Sequence, residues 1–210
     1  MPRAYTEAEQ AAIRARLLAE GERRFAEHGL HAVTIRALTQ AAGIGKGSFY
    51  LFFDSKEALF FAIQEHLETR FKAELQQELE ALPPDPAALI EHLVLASMAR
   101  METHPFLHHL ADPEVLGALM QRLPPAVLQA HRASDQAWFL ALFRRWIEAG
   151  TLPEHTDPQQ IFTVLAATFT LAVNRELVGP GWRDAARLMA RGLAAELAEG
   201  PPPARSPAPG

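Results

Sequence analysis

The sequence predicts an all-α fold. Apolar residues recur at the three- and four-residue spacing of amphipathic helices, and no segment alternates convincingly between apolar and polar residues as a half-buried strand would. Three Asp-Pro pairs, at residues 85–86, 112–113 and 157–158, indicate helix starts, because aspartate caps the first turn and proline suits the first helical position. About nine helices follow from these signals.

The N-terminal helices are defined by their end signals. Thr6 and Glu9 form a capping box, and the first helix is expected to run from there to Gly29. Thr34 is a good N-cap for a second helix that ends at about residue 41. Gly43 has the backbone freedom that a left-handed C-cap requires. A tight turn therefore separates two short helices.

The helix that opens at residues 45–48, Gly-Lys-Gly-Ser, has poor intrinsic propensity. Two glycines in a first turn remove side chains where another surface must approach closely, and the lysine and serine beside them suit phosphate and base-edge contacts. This arrangement is typical of a helix that enters a DNA major groove. The alternative is a tight turn that merely needs glycine.

Longer helices are expected after residue 54. A helix from Ser55 to about Glu80 would span roughly 39 Å at 1.5 Å per residue, enough to link two bodies. The remaining signals predict helices at 86–103, 105–110, 113–121, 125–149, 158–178 and 182–199. Residues 200–210 are rich in proline, and we expect them to be disordered.

Composition limits the functional classes. At 210 residues, with 49% hydrophobic and 21% charged residues, the chain is typical of a soluble protein of one or two domains. The absence of cysteine excludes disulfides, thiol catalysis and cysteine metal sites. The longest apolar run, 161–173, is shorter than the roughly 20 residues of a membrane span. No signal peptide is recognisable at Met1, so a cytoplasmic location is expected.

Charge is distributed unevenly along the chain. The formal net charge is −5, yet residues 1–60 carry eight Lys/Arg against seven Asp/Glu, whereas residues 61–210 carry twelve against eighteen. Non-specific DNA affinity grows with the number of phosphates neutralised, so the N-terminal region should bind DNA only modestly unaided. Specific geometry and dimerisation must supply the rest.

The N-terminal features resemble those of the TetR family of transcriptional repressors in order and spacing. The matching positions are 25–29, Thr34, 42–44, 46–50, Phe53 and 55–57. The resemblance implies a helix-turn-helix DNA-binding domain over 1–54 and a helical effector-binding and dimerisation domain over 55–199, linked by the helix 55–80. It further implies a dimeric repressor that binds a palindromic operator and is released by a small effector.

Individual DNA contacts are implied by the same resemblance. The family's phosphate contacts map onto Thr34, Tyr50 and Lys56, and the contacts nearest the bases map onto Lys46, Gly47 and Ser48. The full predicted set is Thr34, Arg36, Gly45, Lys46, Gly47, Ser48, Tyr50, Leu51 and Lys56. Phe49 and Phe53 are interpreted as core.

Two residues depart from the family pattern. Leu51 stands where relatives often have an aromatic or polar residue, and Phe52 where they commonly have histidine. Neither side chain can donate to a phosphate. Leu51 could touch a thymine methyl group or pack on the sugar backbone, and Phe52 is expected to cost at least one backbone contact.

A homodimer interface is predicted at the two C-terminal helices. The segment 161–177 is apolar on nearly all sides, which requires more partners than one amphipathic neighbour. The resemblance implies a four-helix interface with the twofold mates, and an intramolecular helix pair is the alternative. The predicted residues are Phe162, Leu165, Ala166, Phe169, Trp182, Ala186, Met189 and Leu193.

The middle of the chain is rich in side chains that suit an apolar pocket. They are Met98, Met101, His104, Phe106, Trp138, Phe139, Phe143 and Trp146. The alternative for each is ordinary core. The resemblance implies that a small molecule binds here, and the apolar lining favours a hydrophobic effector over a sugar or a phosphate.

Metal binding and catalysis are not indicated. His104 and His108 have helical spacing, but Pro105 interrupts the helix that this spacing assumes. No nucleophile elbow, phosphate loop or paired-carboxylate motif is present, so neither an enzyme nor a cofactor is predicted. Two alternatives remain open: a DNA-binding regulator without small-molecule control, and an all-α ligand-binding protein or enzyme with only a resembling N-terminal module.

Overall fold

A computed structural model describes residues 5–199 of the chain. Within this range the regular structure is all helical, which confirms the predicted fold class. The α-helices are α1 (Glu7–Ala32), α2 (Ile35–Ala41), α3 (Lys56–Glu80), α4 (Pro86–Thr103), α5 (Pro113–Arg122), α6 (Pro125–Glu148), α7 (Pro158–Val173), α8 (Arg175–Val178) and α9 (Trp182–Glu199), and two 3₁₀ helices cover Lys46–Leu51 and Leu107–Ala111. The tail 200–210, predicted to be disordered, lies outside the described residues.

Helix starts follow the predicted caps. The Thr6 hydroxyl accepts from the Glu9 backbone N–H at 3.2 Å, and the Glu9 carboxylate accepts from the Thr6 N–H at 2.8 Å. At the three Asp-Pro pairs, Asp85, Asp112 and Asp157 each accept a backbone N–H at 2.9 Å. These side chains satisfy amides that a helix start would otherwise leave unpaired.

Three predicted helix ends differ from the structure. Gly29 has a left-handed φ of 74°, which kinks α1, but helical turns continue to Ala32. The short helix expected over 105–110 is a 3₁₀ helix, Leu107–Ala111. The helix expected over 158–178 is divided at Asn174, whose side-chain amide donates to the Thr170 carbonyl at 2.9 Å.

The described residues form two compact units. The first unit comprises residues up to Glu74 together with Ala99–His131. Its core contains three fully buried rings, and the centroid of Phe60 lies 5.2 Å from that of Phe25 and 4.4 Å from that of Phe106. The domain boundary predicted after residue 54 did not anticipate that Ala99–His131 would join the N-terminal unit. Phe106 packs against helices that are distant in sequence, and no local sequence pattern indicates such contacts.

Close packing of α1 against α3 in this unit depends on Gly21. A Cβ atom at Gly21 would lie 2.8 Å from the Ile63 Cδ1 and 3.2 Å from a Leu59 methyl. The absence of a side chain therefore lets the two helices approach each other.

The second unit comprises Leu75–Met98 and the residues from Arg132 onward. In it α7 packs against α9, and α9 buries Trp182, Ala186, Ala190 and Ala194 at four-residue intervals. The Phe139 ring contacts those of Phe162 and Phe169 at centroid distances of 5.9 and 6.4 Å. Among the described helices, none combines the length and apolar character that a bilayer span requires.

Candidate nucleic-acid interface

The turn after α2 has the predicted geometry. Gly43 has a left-handed φ of 72°, and the Ala42 N–H donates back to the Leu38 carbonyl at 3.0 Å. The Arg16 guanidinium on α1 donates to the Ala42 carbonyl at 3.1 Å. The turn is thus held against the first helix, which orients the segment that follows.

The segment 46–51 is a 3₁₀ helix and not the α-helix that its opening suggested. Its N-cap, Gly45, has no side chain to bind an amide, and the Ser48 N–H donates to the Gly45 carbonyl at 2.9 Å in the tighter pattern. Two glycines without a side-chain cap make a regular α-helical start unfavourable. Phe49 is fully buried and Phe53 is 6% exposed, which confirms both as core.

Neither glycine of this segment is required by the chain itself. Gly45 has a φ of −71°, and the φ of Gly47 is not positive, so neither residue has the left-handed conformation that favours glycine. A Cβ atom at Gly47 would meet nothing within 4 Å, and one at Gly45 would meet only the Ser48 hydroxyl, at 4.0 Å. Glycine at these positions therefore leaves an open backbone surface that an external partner can approach.

The predicted DNA contacts of α2 and segment 46–51 lie in the first unit, and most are exposed. Thr34, Arg36, Gly45, Lys46 and Gly47 are exposed, Tyr50 is 53% exposed, Leu51 is 73% exposed, and Ser48 is half-buried. Thr34 also caps α2 by accepting the Ala37 N–H at 3.2 Å. Of these residues, Arg36 and Lys46 line a shallow depression together with Thr39, Gln40 and Ile44.

Sequence reasoning missed Gln40 on this surface. It is exposed and lies one helical turn after Arg36 on the same face of α2, a spacing that could have identified it. Its amide presents both donors and an acceptor beside Lys46. Gln40 therefore extends the polar surface from segment 46–51 onto α2.

Lys56 requires a correction. Its ammonium group donates to the carbonyl oxygens of Leu30, His31 and Val33 at 2.8, 3.2 and 3.2 Å. An ammonium has three donors, and all three are used by the end of α1. Lys56 thus ties the start of α3 to the end of α1, and its side chain is not positioned as the phosphate donor that was expected.

The predicted pocket residues are divided between the two units. In the first unit Met101 and His104 are half-buried, and Phe106 is fully buried in the aromatic core. His104 lines a cleft of about 340 Å³ with Phe71 and Arg100, and the Arg100 guanidinium lies 4.6 Å from the Phe71 ring centroid.

In the second unit Met98 and Phe143 are buried, and Trp138, Phe139 and Trp146 are half-buried. Trp146 lines a separate cleft of about 280 Å³ with Leu142 and Arg145. Met98, Phe106 and Phe143 have almost no exposed surface, so the structure assigns them to core packing, the alternative that was left open.

The predicted dimer residues need a similar correction. Leu165, Trp182 and Ala186 are at most 4% exposed within a single chain, so they have almost no surface left for a second copy. Ala166 is exposed, and Phe162, Phe169, Met189 and Leu193 are half-buried. Exposed apolar side chains outside the predicted set include Leu188 on α9, at 72%, and Leu177 on α8, at 87%.

These elements define a helix-turn-helix protein. Residues 17–63 match the family model for bacterial regulatory proteins of the tetR family. The HTH-type transcriptional repressor Rv1474c of Mycobacterium tuberculosis (strain ATCC 25618 / H37Rv) is 40% identical over 68 residues, which cover 32% of this chain and 36% of that protein. The chain thus spans about a third of the length of this relative.

Solved structures share the fold over most of the chain. A TetR-family transcriptional regulator (ECA1819) from Pectobacterium atrosepticum has a TM-score of 0.65 at 22% identity, covering 92% of this chain and 96% of that one. RolR (NCGL1110) in complex with resorcinol has a TM-score of 0.61 at 23% identity, covering 96% and 100%. The match to the tetR family model covers residues 17–63, and the solved structures show that the chain as a whole shares their helical fold.

Proposed function

We propose that this protein is a sequence-specific DNA-binding transcriptional repressor that acts in the cytoplasm. The observation that carries the proposal is the open backbone at Gly45 and Gly47, which neither backbone conformation nor internal packing requires. Exposed Arg36 and Lys46 flank this surface with the positive charge that a phosphate backbone attracts. The family model covers all of these residues.

The docking mode follows from the motif. In helix-turn-helix proteins the second element lies in the major groove and its first residues meet the base edges. Lys46, Gly47 and Ser48 would then face bases, Thr34 and Tyr50 would contact phosphates, and Leu51 would reach a thymine methyl group. Gln40 and Arg36 would extend the contact along the groove.

The Lys46 contact predicts a measurable salt effect. Replacing Lys46 by alanine should weaken operator binding and reduce the slope of log affinity against log salt by about one, because one fewer counterion is released. Arg132→Ala removes an equal charge from an exposed position on α6 and serves as the control. An unchanged slope for the Lys46 variant would remove this residue from the charged contacts.

Dimerisation is part of the proposal, because eight basic against seven acidic residues in 1–60 cannot hold DNA strongly. Two copies would bring two copies of segment 46–51 to the two half-sites of a palindrome, whose centres are commonly about 34 Å apart. The exposed residues Ala166 on α7 and Leu188 on α9 support an interface built from these packed helices. Leu177 on α8, between these two helices in sequence, is a further exposed apolar side chain.

Sedimentation tests this interface. We expect the wild-type chain to sediment as a dimer at micromolar concentration and Leu188→Glu to shift it toward monomer without loss of helix content, because a carboxylate would be buried unpaired. Met120→Glu changes a comparably exposed apolar residue, at 63%, on α5 and should leave the dimer intact. A monomeric wild-type protein would contradict the proposal.

A small hydrophobic effector would release the repressor from its operator. The clefts lined by His104 in one unit and by Trp146 in the other support the effector hypothesis, since both combine apolar walls with several polar and charged side chains. RolR, a structural neighbour, is described with resorcinol bound. The helices α3, α4 and α6 each contribute residues to both units and would transmit the change.

Selection of bound DNA from a random pool tests the whole proposal. The full chain should enrich an inverted repeat, and a subsequent screen of aromatic and acyl compounds should identify one that releases the enriched fragment. A pool without any enriched repeat would overturn the repressor function. Release by no compound would leave a DNA-binding regulator without small-molecule control.

A further inference from the structure

We propose that Tyr5 is a positioning residue for DNA reading, which holds the Ser48 hydroxyl in place as a hydrogen-bond donor toward a base. The inference rests on the proposed DNA-binding function. Tyr5 and Ser48 are 43 residues apart in sequence, and the Tyr5 hydroxyl donates to the Ser48 Oγ at 3.4 Å. Both side chains are half-buried, and Ser48 is adjacent in sequence to the exposed Gly47.

The backbone at Tyr5 is held firmly. The capping box between Thr6 and Glu9 begins α1 immediately after it, through two hydrogen bonds of 3.2 and 2.8 Å. The Gln10 side-chain amide also donates to the Tyr5 carbonyl at 3.2 Å. The chain direction at a residue directly before such a cap is defined, so the backbone of Tyr5 has a defined position relative to the start of α1.

Phe52 holds the ring itself. The centroids of the Tyr5 and Phe52 rings are 6.2 Å apart with an interplanar angle of 47°, within the range of tilted aromatic pairs. Phe52 directly follows segment 46–51 and its N–H donates to the Phe49 carbonyl at 2.9 Å. The phenylalanine that replaces the family's usual histidine thus has a structural partner, and that partner presents a hydroxyl to the reading segment.

The direction of the bond between these hydroxyls determines what Ser48 can recognise. A serine hydroxyl offers one donor and two acceptor lone pairs. When Tyr5 donates, one lone pair is occupied and the Ser48 hydrogen remains available to an external acceptor. At 3.4 Å the bond is longer than the usual distance of about 2.5–3.0 Å between two hydroxyls, so it contributes little to the stability of the fold.

A serine oriented as a donor matches only some bases. In the major groove guanine, adenine and thymine present acceptors at N7, O6 or O4, whereas cytosine presents the N4 donor. A free hydroxyl could also accept from that donor. Tyr5 should therefore increase discrimination against cytosine at the position that Ser48 reads.

Tyr5→Phe tests this role, because it keeps the ring on Phe52 and removes only the hydroxyl. The position read by Ser48 is the one whose preference is lost in Ser48→Ala. There the wild type should reject cytosine by about tenfold, and Tyr5→Phe should reduce this rejection to about threefold or less. Discrimination elsewhere, the melting temperature and the salt slope should not change, since no charge is removed.

A double-mutant cycle separates positioning from direct contact. In the Ser48→Ala background, Tyr5→Phe should have no further effect on any sequence. Tyr50→Phe, a matched loss of a hydroxyl from the same surface, should weaken binding equally across sequences. Unchanged discrimination in Tyr5→Phe, or a uniform loss that persists without the Ser48 hydroxyl, would overturn this inference alone. A wild-type chain that enriches no operator would overturn the proposed function and this role together.

Discussion

Gly47→Ala is expected to weaken operator binding by about tenfold or more while the free energy of unfolding stays unchanged or rises by about 0.4–1 kcal/mol. A methyl group at this position meets nothing within 4 Å in the chain, so it creates no internal clash. Alanine also restricts the unfolded chain more than glycine does. On the reading surface, however, the methyl group would prevent close approach of DNA.

Urea denaturation and equilibrium binding on the same preparations measure the two effects. Gly43→Ala is the matched control: a Cβ atom there also meets nothing within 4 Å, but the φ of 72° is left-handed. That variant should lose about 1–2 kcal/mol of stability because alanine is strained in this conformation. Wild-type affinity in Gly47→Ala would show that no surface approaches this backbone closely.

Lys56→Met should destabilise the protein by about 1–3 kcal/mol. The substitution leaves the carbonyl oxygens of Leu30, His31 and Val33 without their shared ammonium donor. Two of these hydrogen bonds are partly buried, so water replaces the donor incompletely. Urea denaturation measures the loss directly.

Lys46→Met provides the control for Lys56→Met, because it removes the same charge from an exposed side chain. It should leave stability nearly unchanged and reduce the salt slope of DNA binding. Lys56→Met should lower stability and leave the salt slope of DNA binding nearly unchanged. If Lys56→Met kept its stability and reduced the salt slope by about one, Lys56 would be a phosphate contact after all.

The elements that the sequence predicted well depend on neighbours in sequence. The Thr6 capping box, the Asp112 and Asp157 caps and the left-handed Gly43 each involve residues within a few positions of one another. Such interactions appear as short patterns. The same reasoning located α2 and the exposed residues of segment 46–51.

The features that the sequence could not predict depend on distant partners. Lys56 binds carbonyl groups up to 26 residues away, and Tyr5 reaches Ser48 across 43 residues. Periodicity placed Trp182 and Ala186 on an apolar face of α9, but it could not tell that these two residues are covered within the chain and that Leu188 is exposed. A pattern shows that a face is buried without showing what buries it.

The central hypothesis is that segment 46–51 reads bases as half of a dimer. Its most direct test compares the DNA sequences that the wild-type chain and Ser48→Ala select from one random pool. We expect the wild type to enrich an inverted repeat, and Ser48→Ala to lose preference at one symmetry-related pair of positions while retaining the others. Selection of no repeat by the wild type, or of an identical repeat by both chains, would contradict the hypothesis.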